Sequence, residues 1–450
     1  MSRYWRSLPL ENRPGRVIFN QLFRRVSPIA TLLESPFPTY QEQPSLARYS
    51  ICAGEPIIKD GVKQLFTPPI GEILPLLRSL ITNNQQSTNS PDLPFTGGWL
   101  GWLGYDLAWE IENLPQLKQD TLPFRVAYWY EPAQLAIADH LEQTLWLAAP
   151  TLTEVEELVT QLRSPVEETY SESNILDFSL VSSQSDYEQA VTKALDYIHA
   201  GDIFQANLSL RFQVSTQQDS WSIYQRLSTI NPSPFASYWQ TPWGVMISCS
   251  PERLIKLQGN QAETRPIAGT RSRGETEQLD RQLAQELINT TKERAEHIML
   301  VDLERNDLGR VCQWGSVEVD ELFTIERYSH VMHLVSNVKG TLHRDYDPID
   351  LIRAVFPGGT ITGCPKVRCL EIIEELEPLR RNLFYGSCGY INYNGDLDLN
   401  ILIRTLLFSH NRVWGQVGAG IVADSDPTQE WYESLYKAQA QLAALGVNQR

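Results

Sequence analysis

Apolar and polar positions alternate in two different ways along this chain, and the change falls near residue 170. Before it, short apolar runs are broken by Pro and Gly, as at Pro36-Phe37-Pro38 and Thr67-Pro68-Pro69-Ile70-Gly71, a pattern of strands and turns. Residues 82–91 are polar and read as a loop, and the Gly-punctuated stretch 97–106 reads as a strand pair. After it, residues 187–200 carry apolar side chains near helical spacing, with Gly201 placed as a C-cap. Two later helical segments, about 285–304 and 428–445, are rich in carboxylates. Between and before them, β-branched apolar runs at 245–249, 388–393 and 401–408 read as strands. Residues 164–185 form the best linker candidate, dividing an N-terminal region, 1–170, from a second region, 180–450. Strand runs interrupted by separated helices predict an α+β fold with a largely antiparallel sheet.

Composition narrows the function. An apolar fraction of 42% with 12 Trp in 450 residues is that of a globular enzyme-sized protein. A net charge of −16 argues against nucleic-acid or anionic-membrane partners, which need clustered cations, so an anionic substrate would require a local basic pocket. The first residues lack an apolar secretion segment and no stretch approaches the roughly 18 apolar residues of a membrane span, which makes the cytoplasm the default. Six scattered cysteines form no C-x-x-C pair and read as reduced core or pocket residues. No G-x-S-x-G, H-E-x-x-H or dinucleotide fingerprint is present.

Several clusters carry candidate chemistry. Glu293 with Glu296, and Glu430 with Glu433, stand three apart; on helices each pair shares a face, and two such helices facing each other could hold a hard cation such as magnesium. Either pair alone equally suits a solvated helix face. The run Gly358-Gly359-Thr360-Ile361-Thr362-Gly363-Cys364-Pro365-Lys366 is not a P-loop, because Cys364 and Pro365 separate the last Gly from the Lys; its backbone N–H groups still suit a carboxylate, as do those of Gly418-Ala419-Gly420. Arg404 lies within an apolar run, so it either ends in an ion pair or holds an anionic ligand. His333 is either a hydrogen-bonded core histidine or a general acid or polariser.

Taken in order, these motifs resemble those of the chorismate-utilising enzymes over the C-terminal half and more, and those of the synthase large subunits over nearly the whole chain. The matching stretches are 201–208 (GDIFQANL), Ser250-Pro251-Glu252-Arg253, 265–271 (RPIAGTR), 292–310, the segments around His333 and Arg404, 357–368 and 418–437. The resemblance implies a large antiparallel two-layer sandwich with outer helices. It also implies a Mg2+ site at Glu293, Glu296, Glu430 and Glu433, the metal bridging to the C1 carboxylate of chorismate, with His333 near the leaving hydroxyl. Tyr385, Arg404 and the Gly418–Ala419–Gly420 backbone would hold the enolpyruvyl carboxylate, Lys437 would complete the anion-binding end, and Thr360 would position the ring.

Gln205 stands where water-adding relatives carry a Lys base; a neutral amide cannot activate water, so ammonia is the expected nucleophile. No glutaminase signature is present, which implies a separate glutamine amidotransferase partner. Ala268 stands where one type of 4-amino-4-deoxychorismate-forming enzyme has a Lys that bonds to C2. This favours anthranilate, whereas Asn207, the 250–253 stretch and the 356–366 loop favour 4-amino-4-deoxychorismate, the expected product. A catalytically silent chorismate-binding paralogue is the contrasting reading. Leu33-Glu34-Ser35 resembles a tryptophan-binding motif, and otherwise reads as a strand end.

Overall fold

The computed structural model describes residues 3–35, 47–82, 90–164, 175–327 and 331–447. Within them the chain builds two large antiparallel sheets, one of twelve strands and one of ten, packed face to face with helices outside. The predicted α+β class and the two-layer antiparallel architecture are both present.

The two sequence regions interleave in both layers. In the larger sheet the order runs from Tyr4–Pro9 through Thr144–Ala149, Leu135–Asp139, Tyr49–Ala53 and Ala30–Glu34 to Phe235–Thr241, and then on to Gly244–Ser250, Thr405–Ser409, Arg412–Ile421 and Gln205–Thr216. The seam between the regions is Ala30–Glu34 against Phe235–Thr241, with Leu32 opposite Tyr238. In the smaller sheet, Gly98–Leu103 pairs with Ser387–Asn392. Trp102 and Tyr128 from one layer meet Trp239 and Met246 from the other in the shared core, with Trp102 and Trp239 edge to face at 5.8 Å. On the outer side of the larger sheet, Leu208, Leu210 and Phe212 pack against Tyr187, Val191, Trp431 and Ala438 of two helices. Among the described residues no helix is long and apolar enough to cross a membrane.

Local chemistry explains the element ends. Helix Gln184–His199 begins at a Ser183–Asp186 capping box, and Gly201 at φ +82° ends the segment as read from the sequence. Helix Pro427–Leu445 has Asp426 as N-cap, Pro at its first position and Gly446 in the left-handed conformation beyond its last.

Three sequence expectations change. The 97–106 stretch is one strand, Gly98–Leu103, followed by a short helical turn, because both its neighbours come from distant segments. The 401–408 run is a strand only over Thr405–Ser409; Arg404 adopts φ +50°, which breaks the extended backbone. Within the linker candidate, residues 165–174 lie outside the described set, while Ile175–Leu180 is an edge strand beside Gln205–Thr216. Residues 36–38 and most of 82–91 also lie outside it.

Candidate active site

Alternation along Gln205–Thr216 sends Leu208 and Leu210 to the outer core and puts Gln205, Asn207 and Ser209 on the other face. Asn207 lies opposite Gly420 and Ser209 opposite Gly418 in the adjacent strand. A Cβ added at Gly420 would sit 2.5 Å from Gln205 Nε2, and one at Gly418 would sit 2.9 Å from the Tyr385 hydroxyl. The glycines therefore leave room for a ligand or for these side chains, but not for a substituent of their own. Ala419 faces the outer core, so only its backbone can serve the site. Lys437 reaches back from helix Pro427–Leu445 and donates to the Gly418 carbonyl at 3.1 Å.

A second wall comes from the smaller sheet. Ile267–Ser272 pairs with Val331–Thr341, which sets His333 opposite Thr270, the hydroxyl 2.9 Å from His333 Nδ1. Burial, and next the charge of nearby Arg404, push the His333 imidazole down to about 3, so it is neutral at physiological pH. It can polarise or hydrogen-bond, but it is not a cationic acid. Arg404 projects from the break after residue 403, where its Nη1 donates to Asn231 Oδ1 at 2.5 Å. Asn231 in turn donates to the Cys249 carbonyl at 3.1 Å. Among the described residues no carboxylate pairs with Arg404, and desolvation lowers its pKa. Of the two readings left open for this residue, the ion pair is absent among the described residues, which leaves room for the anion-holding one. Tyr436, next to Lys437, is within electrostatic reach of Arg404, and Tyr385 N–H donates to the Leu402 carbonyl at 2.9 Å. These contacts tie the two walls into one cleft.

Glu252 lies in this cleft and was not singled out from the sequence. It is 5% exposed, its carboxylate accepts from Ile267 N–H at 3.4 Å, and the Thr360 hydroxyl lies beside it. Burial raises its pKa to about 8. The available signal was an acidic residue between Pro251 and Arg253 at the end of a buried strand. Arg253 satisfies its own charge through Asp398 and Glu263, which leaves Glu252 without an ionic partner among the described residues.

The loop after Phe356 is held in place by its own lysine. Its Lys366 donates to Asp307 at 2.5 Å and to the Val355 carbonyl at 3.0 Å, so it anchors the loop instead of facing an anion. Glu304 and Asp307, both buried, occupy the inner side of helix Thr291–Gly309, and Thr264 donates to Glu304 at 3.2 Å. The polar density seen in this helix comes from acids turned inward.

The four proposed metal ligands sit on two helices, Thr291–Gly309 and Pro427–Leu445. Glu293 lies against Gly269 and pairs with Arg271 at 3.1 Å, Glu430 accepts from Ser425 at 2.6 Å, and Glu433 pairs with Lys437 at 2.8 Å. Among the described residues no three metal-ligating side chains converge on one point. The donor set is all carboxylate oxygen, which suits a magnesium ion held by one or two protein ligands plus water and substrate oxygens instead of by a complete protein cage.

Leu33, Glu34 and Ser35 end a strand and also line a separate cavity with Pro234, Phe235, Tyr390 and Asn400. Ser35 donates to the Pro234 carbonyl. Glu34 accepts from the Tyr224 hydroxyl at 2.5 Å and from Arg16 N–H at 3.0 Å, and burial raises its pKa.

A family model described as chorismate binding enzyme matches residues 44–443. The chain is 61% identical over 449 residues to an anthranilate synthase component I-like protein of Synechocystis sp., across 98% of this chain and 92% of that protein. It is 45% identical over 425 residues to aminodeoxychorismate synthase component 1 of Bacillus subtilis, across 89% and 90%. The crystal structure of anthranilate synthase component I from Streptococcus pneumoniae matches with a TM-score of 0.78 at 32% identity, covering 88% of this chain and 92% of that one.

Proposed function

Because this chain belongs to the chorismate binding enzyme family and is a chorismate-utilising enzyme of the anthranilate and aminodeoxychorismate synthase type, we propose that it aminates chorismate at C4, giving 4-amino-4-deoxychorismate. The observation that carries the reading is the division of the cleft. A carboxyl that keeps its proton near neutral pH, Glu252, stands on one side, and neutral amides line the other.

Chorismate is a dianion that must lose a hydroxyl. Arg404, which pairs with no carboxylate among the described residues, binds the enolpyruvyl carboxylate, and Tyr385 with the Gly418–Gly420 backbone orients it. Thr360 positions the ring beside Glu252. The ammonia lone pair forms the new C–N bond while the C4–O bond breaks with its electrons on oxygen. That oxygen takes the Glu252 proton and leaves as water; the new ammonium then releases a proton to solvent and the Glu252 carboxylate takes one back from solvent, so atoms and charge balance. Neutral His333 with Thr270 polarises the leaving side without transferring a proton. Glu293, Glu296, Glu430 and Glu433 would hold Mg2+, which neutralises the C1 carboxylate when bound.

Ammonia comes from a glutamine amidotransferase subunit in the cytoplasm, and the Leu33–Ser35 cavity takes tryptophan. Ala268 favours the second reading, anthranilate, since it leaves no lysine to bond C2. Asn207, the 250–253 stretch, the 356–366 loop and the similarity to the Bacillus protein support the first. The test is product analysis with chorismate, magnesium and ammonium, with and without an added aminodeoxychorismate lyase. 4-Aminobenzoate that appears only with the lyase is the expected result; anthranilate without it assigns the other product.

A further inference from the structure

Two side-chain amide oxygens on one face of the cleft are left without a hydrogen-bond partner: Gln205 Oε1 and Asn207 Oδ1. Both side chains are more than nine-tenths buried, at 8% and 9% exposed. A buried amide oxygen without a donor is costly, so a pair of them on one face calls for a ligand that donates. They stand two residues apart on one strand face, about 6.6 Å from Cα to Cα. One nitrogen that hydrogen-bonds to both at about 2.9 Å spans up to roughly 5.8 Å between them, so side chains converging slightly can share it.

The backbone under Asn207 is fixed from both sides. Its N–H donates to the Thr362 carbonyl at 2.9 Å, and its carbonyl accepts from Arg381 Nη2 at 2.6 Å. Arg381 is itself locked by Glu377 at 2.7 Å. Opposite Asn207 stands Gly420, and the Gln205 amide lies over it, so that a Cβ at 420 would fall 2.5 Å from Gln205 Nε2 and the two amides share one side of the cleft. Among the described residues the neighbouring groups on this face offer no free base: the Glu377 carboxylate is taken up by Ser209 and Arg381, and the Tyr385 phenol is raised far above neutrality by burial.

We propose that Gln205 Oε1 and Asn207 Oδ1 form the ammonia-binding cradle of this enzyme, with Asn207 the residue that fixes the nucleophile's position. Ammonia has three N–H donors and one lone pair. Two acceptors behind it satisfy two of the donors and turn the lone pair toward the substrate carbon. Water in the same place would still need a base to become a nucleophile, and the described residues of this face offer no free one. The cradle rests on the amination reading but makes a separate demand, on the nitrogen alone.

The test is steady-state kinetics of full-length enzyme with magnesium, varying ammonium chloride at saturating chorismate and then the reverse, for wild type, Asn207→Leu and Asn207→Asp. Loss of one N–H···O bond of about 1.4 kcal/mol corresponds to about tenfold. Asn207→Leu is expected to raise the ammonium KM about tenfold or more and leave the chorismate KM within about twofold. Asn207→Asp, which keeps an acceptor in place, is expected to hold the ammonium KM near wild type. An unchanged ammonium KM in Asn207→Leu, an equal rise in both KM values, or an equal defect in Asn207→Asp overturns the cradle. Absence of amination in the wild type sinks the functional reading itself, a different and distinguishable failure.

Discussion

Replacing Arg404 with Met separates binding from stability. The guanidinium is desolvated, pairs with no carboxylate among the described residues, and has Asn231 Oδ1 as its recorded partner at 2.5 Å. If it holds a substrate carboxylate through two charge-assisted hydrogen bonds of about 1.5–2 kcal/mol each, the substitution costs about 3–4 kcal/mol of binding. That is a rise of roughly 150- to 1000-fold in the chorismate dissociation constant. Stability moves little. Removing a desolvated charge is favourable, stranding Asn231 Oδ1 costs about 1–3 kcal/mol, and these oppose each other. The left-handed backbone at 404 has the same cost for Met as for Arg and cancels. The free protein should therefore unfold within about 5 °C of wild type. Calorimetric titration with chorismate, beside a thermal melt of the unliganded protein, reads both quantities. A variant that binds chorismate normally, or one that loses more than about 5 kcal/mol of stability, would show that Arg404 is a structural residue.

Other outcomes follow from the same geometry. Glu252→Gln should lower turnover at all pH values and lack the alkaline limb expected of wild type near pH 8. Because the folded carboxyl holds its proton from the ordinary 4.5 up to about 8, its contribution to stability is full below 4.5 and declines as pH rises through that window; the Gln variant should lack this decline, checked by denaturant titration across pH. Chelating magnesium, or Glu296→Gln or Glu433→Gln, should abolish turnover without unfolding the chain, and near-normal rates at saturating magnesium would remove the metal assignment. Gln205→Lys should shift product from amination toward water addition; an unchanged product ratio counts against its role. Arg381→Met should cost about 3–5 kcal/mol in chemical denaturation, because it leaves Glu377 charged and buried.

The sequence disclosed elements where local chemistry decides them. The helix ending at Gly201 and the helix carrying Glu430 have caps and spacing that no distant contact overrides. It disclosed candidate residues by type, such as Arg404 in an apolar run, but not which of two readings held, because that depends on whether a carboxylate arrives from elsewhere in the fold. Glu252 escaped notice for the same reason. A single Glu beside an Arg reads as an ion pair until the structure gives that Arg to Asp398 and Glu263. What Lys366 binds was not legible either, since its partner Asp307 is far away in sequence. The 401–408 run kept its strand chemistry, yet the left-handed turn at Arg404 is not encoded by a Gly or Asn that could be recognised beforehand.

The seam between Ala30–Glu34 and Phe235–Thr241 joins segments about two hundred residues apart. During synthesis the first strands of the larger sheet leave the ribosome long before the strand that closes their edge, at about 5–20 residues per second. For roughly ten seconds or more the nascent chain carries an open, apolar edge with Leu32 and Leu33 unpaired, and the same holds for Gly98–Leu103, which waits for Ser387–Asn392. An N-terminal fragment expressed alone would keep that edge permanently and aggregate through it, and a chain begun near residue 180 would expose Phe235–Thr241 in its place. Neither half is a unit that heredity or engineering can move by itself.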